Sequence, residues 1–356
     1  MKNGILTTLI LGMALLATAQ DVVQLRPEKF NDYALNYYLP KTVTEIEFVA
    51  SKTTRKAGEY YQYARKYLGI SDVITEDSET WHLESATITS RGEANTDERY
   101  QLTFKAGQTP YIFVSEEHTI LSVNTAPDTN TTTTATAANQ DVINDIDSSK
   151  ALSSDILMSG SIAKMAEMAA KQIYRIRESR MDILTGDADN MPADGESLRI
   201  VIEQLEQQEQ ALTALFEGTT SVEYVTQKMV YTPTDNVENQ VILRFSEHLG
   251  FVDASDLCGA PIYLSIDVTE RGEYPLDNKG VVKKVPKGAL AYNIPGKIDI
   301  SLHFDSKTLA REELSVAQLG VVFGLDPALL SRKKERTYVV FDPTTGGITQ
   351  IGTATE

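Results

Sequence analysis

Ser161-Ile-Ala-Lys164 sets a hydroxyl and an amine one helical turn apart. Penicillin-recognising serine enzymes use this spacing so that lysine can activate serine. They also need a later K-T-G and an S-x-N element. Here Lys307-Thr308 runs into leucine, and Ser122-Val-Asn124 precedes the pair, so the template fails. Asp299, Ser301, His303 and Asp305 alternate with Ile298, Ile300, Leu302 and Phe304. On a strand that alternation puts two carboxylates, a hydroxyl and an imidazole on one face. Such a face suits a cation or sugar hydroxyls; it is also the ordinary wet face of a half-buried strand. Tyr60, Tyr63 and Tyr67 share one face of a predicted helix. They suit either an aromatic platform for carbohydrate or the packed side of a helix on a sheet.

Other candidates lose their pattern on counting. Asp187, Asp189 and Asn190 suggest a calcium loop. Counted from Asp187, however, Pro192 stands where an EF-hand needs glycine and Leu198 where it needs glutamate. The four histidines, His82, His118, His248 and His303, form no H-E-x-x-H and share no helix at ligand spacing. Neither a metal nor a cofactor is expected. The single cysteine, Cys258, allows no intrachain disulfide and is expected to be a small buried hydrophobe. No phosphate loop, G-x-S-x-G elbow or dinucleotide fingerprint occurs. Paired carboxylates of the glycosidase kind stay open, because 50 acids give no basis for choosing two.

The elements that carry these residues fall into three stretches. Residues 20–124 read as β-rich. Strands are expected over Tyr33–Leu39, Thr42–Ser51, Trp81–Thr89, Tyr100–Lys105 and Pro110–Val114, with one helix over Glu59–Leu68 closed by Gly69. Residues 125–150 are rich in Thr and Ala and read as a linker. Within 151–220, Ile162, Ala166, Ala169, Ile173, Ile176 and Ile183 form one apolar stripe. Leu198, Val201, Ile202, Leu205, Leu212, Leu215 and Phe216 form another. That predicts helices over Ser153–Leu184 and Gly195–Glu217, joined by a short polar connection that Gly186 opens and Asp194 closes. Residues 221–356 return to strands. These are Val222–Tyr231, Asn239–Phe245, Ile262–Thr269, Ala289–Ile294, Ile298–Phe304, Thr337–Phe341 and Gly347–Ile351, with Asp342-Pro-Thr-Thr-Gly346 as a turn. Asp326-Pro327 starts a single helical turn. A short echo, Ile88-Thr-Ser-Arg-Gly-Glu93 against Val268-Thr-Glu-Arg-Gly-Glu273, is read as chance.

The whole is expected to be an α+β protein: two antiparallel β-rich domains flanking a two-helix antiparallel hairpin. The 356 residues are 42% apolar and 23% charged, enough to bury real cores. A formal net charge of −17 repels nucleic acid and anionic lipid at long range, so no nucleic-acid partner is expected. At the start, Lys2, an apolar run over Ile5–Ala17 and Ala17-Thr18-Ala19 follow the order of a cleavable signal peptide, residues 1–19, cut after Ala19. No cysteine stands just after the run, so a lipoprotein is not expected. No later segment reads as membrane-spanning. A periplasmic or secreted location follows.

Several phrases occur together: Tyr38-Leu-Pro-Lys-Thr42, Gly58-Glu-Tyr-Tyr-Gln-Tyr-Ala64, Tyr67-Leu-Gly-Ile70, Pro192-Ala-Asp-Gly195 and Phe341-Asp-Pro-Thr-Thr-Gly346. In these the chain resembles a family of exported proteins from gut-type Bacteroidota, domain of unknown function 4831. The resemblance covers nearly the whole chain after the leader. It implies an envelope or secreted location and a Gram-negative source, and it brings no activity and no functional residues. The expected function is that of a non-enzymatic binding or scaffold protein with a glycan or protein partner. The alternative is a secreted hydrolase of glycan or peptidoglycan with dispersed carboxylates.

Overall fold

The structure is a computed structural model that describes residues 34–103, 110–127, 151–189, 195–330 and 336–354. The leader, Asp194 and nearly all of the Thr/Ala-rich stretch lie outside the described residues. The described residues are β-rich, with antiparallel pairing throughout three sheets and few helices.

Strand β1 (Ala34–Lys56) pairs with β2 (Ser78–Thr103) on one side and with β5 (Thr219–Tyr231) on the other. The expected break at Pro40 is instead a register shift within β1. Proline lacks the N–H a ladder needs, and a bulge absorbs that loss. A second shift sets Val49 opposite Ser85 but Ala50 opposite Leu83, leaving Glu84 unpaired. That extra residue reverses the alternation of β2: Ala86 and Ile88 turn inward beyond it, although the simple pattern puts them opposite Trp81 and Leu83.

The five-stranded sheet runs β10-β9-β8-β6-β7, with β6 Val237–Ser246, β7 Gly250–Val252, β8 Ala260–Glu270, β9 Leu290–Phe304 and β10 Lys307–Leu325. It covers the three-stranded sheet. Ile46, Phe48, Ala50, Ala86 and Ile88 from the latter share one core with Ile262, Leu264, Ile266, Ile298, Ile300 and Leu302. The third sheet runs β12-β11-β4-β3, with β3 Ile112–Val114, β4 Ile120–Val123, β11 Arg336–Phe341 and β12 Ile348–Ala354. Its core takes Tyr37, Leu39, Tyr100 and Leu102 from β1 and β2, and Leu290 and Ala291 from β9.

The expectation of two separate β-rich domains differs from this pairing. β1 pairs with β5, β4 with β11, and both β cores mix early and late strands. The physical reason is the length of β1, β2 and β9, each of which runs through both cores and so ties them together.

A buried polar seam fastens early and late described segments to each other. Asn293 Nδ2 donates to Pro40 O (3.1 Å) and Thr345 O (2.7 Å). Thr42 Oγ1 donates to Thr344 O and accepts from Ala317 N–H, while Gln318 exchanges bonds with the Thr42 backbone. Tyr37 Oη accepts from Ala291 N–H (2.7 Å) and donates to Ala291 O (3.3 Å). The phrases around Pro40 and Pro343 therefore meet in space, and their polar groups satisfy one another.

The predicted long first helix divides. α2 (Ser154–Leu157) ends before Gly160, and α3 (Ile162–Thr185) begins after Ser161, whose hydroxyl accepts Lys164 N–H as a cap. Gly186 closes α3 in the left-handed conformation, as expected. α4 (Gly195–Glu217) packs on α3 through Ala166, Ala169, Ile173, Leu212, Leu215 and Phe216. Ion pairs Arg177–Glu209 and Arg180–Glu206 run in opposite senses along the two helices. The expected helix at Glu59–Leu68 is a 3₁₀ turn (Tyr61–Tyr63) leading into α1 (Ala64–Tyr67). α5 (Pro327–Leu330) is the single turn anticipated there. Among the described residues no helix is long and apolar enough to cross a membrane.

Candidate functional site

Ile298, Ile300 and Leu302 are fully buried in the core between the five-stranded and three-stranded sheets, so the alternate residues of β9 face outward. Asp299, Ser301 and His303 there line a cleft of about 470 Å³. β8 contributes Ser265 and Asp267, β10 contributes Thr308 and Arg311, and the entry to β6 contributes Asn236, Val237 and Glu238. Strand register sets the spacing: Asp267 opposes Asp299, Ser265 opposes Ser301, Ser301 opposes Arg311 and His303 opposes Thr308.

The side chains hold one another in place. Arg311 Nε donates to both Asp299 oxygens (2.9 and 3.0 Å), and Nη2 closes a fork on Oδ2. The guanidinium holds the Asp299 carboxyl below the usual carboxylate range, against the opposing effect of desolvation. His303 bonds Ser301 Oγ through Nε2 (3.0 Å) and Thr308 Oγ1 through Nδ1 (3.2 Å). Both ring nitrogens are engaged, which fixes the orientation of the imidazole. Asn239, with φ of 49°, donates its N–H to Ser265 Oγ (3.1 Å), and Asn236 Oδ1 accepts Val268 N–H (2.6 Å). These bonds draw the start of β6 across the cleft wall.

The arrangement presents hydroxyls, a carboxylate–guanidinium pair and an oriented imidazole to water. It suits a ligand with several hydroxyls. The Ser301–His303 bond has the geometry of a nucleophile and its base. The orienting partner on Nδ1 is a threonine hydroxyl, though, and it supplies no charge to stabilise an imidazolium.

Asp305 does not join the cleft. It and Ser306 form the β9–β10 turn with φ of 45° and 63°. Positive φ at both central residues is what a tight hairpin requires. The three tyrosines also part company. Tyr60 is wholly buried, edge-on to Phe216, and its Oη has no hydrogen-bond partner among the described residues. Burial, then Glu59, raises its phenol above the ordinary range. Tyr63 and Tyr67 stack on each other and lie half-buried against the helical core.

Cys258 is exposed, contrary to expectation. It sits in a turn where its N–H bonds Asp256 Oδ1 and takes it away from the core. The same aspartate raises its thiol, which disfavours the nucleophilic thiolate. Among the described residues no group of three or more His, Cys, Asp or Glu side chains could hold a metal ion.

Sequence reasoning missed Ser265, Asp267, Asn236, Glu238, Thr308 and Arg311. Ser265 and Asp267 alternate with Ile262, Leu264 and Ile266 just as the polar residues of β9 do, and that signal was available. Thr308 and Arg311 enter only through strand pairing, and Asn236 and Glu238 through the start of β6 along the cleft wall.

A family model described as a domain of unknown function (DUF4831) matches residues 33–349. No curated protein and no solved structure matches the chain.

Proposed function

Since this chain belongs to the family described as a domain of unknown function (DUF4831), we propose that it is a non-enzymatic binding protein of the bacterial envelope, taking a polyhydroxylated ligand such as a glycan in the β8–β9–β10 cleft. The observation that carries this reading is the Asp299–Arg311 fork beside paired hydroxyls at Ser265 and Ser301. Sugar recognition uses planar charged groups and hydroxyls held in fixed positions, and here each is oriented before any ligand arrives. Arg311 commits the Asp299 carboxylate to its charged form, which suits an acceptor and not a proton donor. The leader over residues 1–19 supports export and cleavage after Ala19, and with it the Bacteroidota envelope setting. α3 and α4 are read as the two-helix hairpin, a scaffold appended to the sheets.

Glycan-array screening of the leader-free protein tests the reading. A hit should weaken about tenfold in Ser265→Ala combined with Ser301→Ala, the loss of two hydrogen bonds. A hit that this double variant leaves unchanged would sink the cleft as the site.

One observation favours a hydrolase as the second reading: Asp267 and Asp299 are direct cross-strand neighbours on the cleft face. Two close carboxylates are the minimum for retaining glycoside hydrolysis. Turnover of a polysaccharide that disappears in Asp267→Asn would establish it.

A further inference from the structure

The segment joining β8 to β9 is a narrow hairpin with an unusual surface. Leu276 bridges Val282, Asp277 N–H donates to Val281 O (2.7 Å), and Lys283 N–H donates to Pro275 O (2.8 Å). Asp277 Oδ1 caps the turn by accepting Lys279 and Val281 N–H, and Gly280 takes the positive φ that the turn requires. The finger therefore has a defined shape, and its tip is not covered. Leu276, Val281 and Val282 are 54%, 60% and 51% exposed.

Four lysines flank these aliphatics: Lys279, Lys283, Lys284 and Lys287. All four are exposed, and none makes an ion pair with another described residue. Within residues 274–288 the only carboxylate is Asp277, which the turn already uses. A chain of net charge −17 thus carries a cationic, aliphatic projection.

We propose that this hairpin docks the protein on an anionic lipid surface, the three aliphatics entering the acyl boundary and the lysines lying against the headgroups. Charge complementarity argues for an anionic partner, and the tip argues for lipid. A stable protein interface needs about 800 Å² per partner, far more than three side chains on a two-stranded finger offer, whereas a fluid bilayer conforms to a small probe. The acidic remainder of the molecule does not cancel the attraction. At physiological salt the Debye length is about 8 Å, so only charges near the tip are felt by the surface. The inference stands apart from the ligand assigned to the cleft.

Co-sedimentation of the leader-free protein with phosphatidylglycerol vesicles tests it, with phosphatidylcholine vesicles as reference. The expected result is preference for phosphatidylglycerol, lost near 1 M salt, where the Debye length is about 3 Å. Each Lys→Gln change should weaken partitioning about fivefold. Val281→Asp with Val282→Asp should abolish it although every lysine remains, and unchanged thermal melting should show all the variants folded. Equal binding to the two lipids, or phosphatidylglycerol binding that none of the variants alters, would overturn the proposal. Binding to polyaspartate without binding to vesicles would overturn it in favour of an acidic protein partner.

Discussion

Asn293 and Ser301 stand on the same strand, yet the fold treats their polar atoms in opposite ways. Around Asn293 the polar side chains bond to backbone: Pro40 O and Thr345 O for the amide nitrogen, Ala291 for Tyr37, Thr344 and Ala317 for Thr42. Around Ser301 the polar groups bond chiefly to each other and face a cleft open to water. Buried polar groups must be paired, so the seam has little capacity left for a ligand. The cleft groups keep donors and acceptors to share. The phrases that carry the family resemblance at residues 38–42 and 341–346 lie in the seam, so they mark the fold and leave the ligand unspecified.

The seam should therefore break with large losses of stability, and the cleft with small ones. The largest effect is expected at Gly92, which opposes Thr42 in the β1–β2 ladder. A Cβ there would collide with the backbone oxygen of Pro343. The turn would have to move off Thr42, taking the Thr344 bond with it. Gly92→Ala should cost about 3 kcal/mol, read as a lower denaturant midpoint at unchanged slope. Tyr37→Phe comes next. It leaves the buried Ala291 N–H without its acceptor and should cost about 2 kcal/mol. Desolvation also raises the Tyr37 phenol, an effect the Ala291 bond partly offsets. The linked stability is full below the ordinary tyrosine range and declines only in strong alkali.

Tyr60 gives the opposite sign and sharpens the contrast. It is as buried as Tyr37, but its hydroxyl lacks a partner. Tyr60→Phe keeps the edge contact with Phe216 and removes an unpaired polar atom. The melting midpoint should rise, by about 1 kcal/mol of stability. A fall of similar size in both tyrosine variants would show that burial alone, and not pairing, sets the cost.

How much of this was legible follows the same division. The lower half of β9 reads cleanly because Ile298, Ile300 and Leu302 alternate with polar residues, and the cleft's central strand came with it. β10 was not anticipated. Arg311-Glu-Glu-Leu314 is built from helix formers, and only pairing with β9 holds it extended. Arg311 was lost with it. Asp305 continued the alternation on paper, but the turn carries no Asn-Gly or Asp-Gly signature to warn of the reversal. The seam was illegible for a different reason: Thr42 and Thr344 meet across almost the whole chain, and no local pattern encodes that pairing.

The smallest stability effect belongs to Asp299 and Arg311, and it bears most on what the cleft does. Arg311 holds the Asp299 carboxyl low, so the folded value lies below the unfolded one. The linked stability is therefore present above the ordinary carboxylate range and is lost as pH falls through the depressed folded value. Both groups are solvent-accessible, so Arg311→Gln should hardly move the melting temperature. The Asp299 carboxyl titration, followed by NMR, should rise back into the ordinary carboxylate range. That range would keep Asp299 an acceptor for hydroxyls even without its partner. A rise well beyond it would mean that Asp267 across the ladder, and not the arginine, dominates the site. Two carboxylates then share one proton, which is the condition for acid catalysis. The binding reading would then give way to the hydrolase.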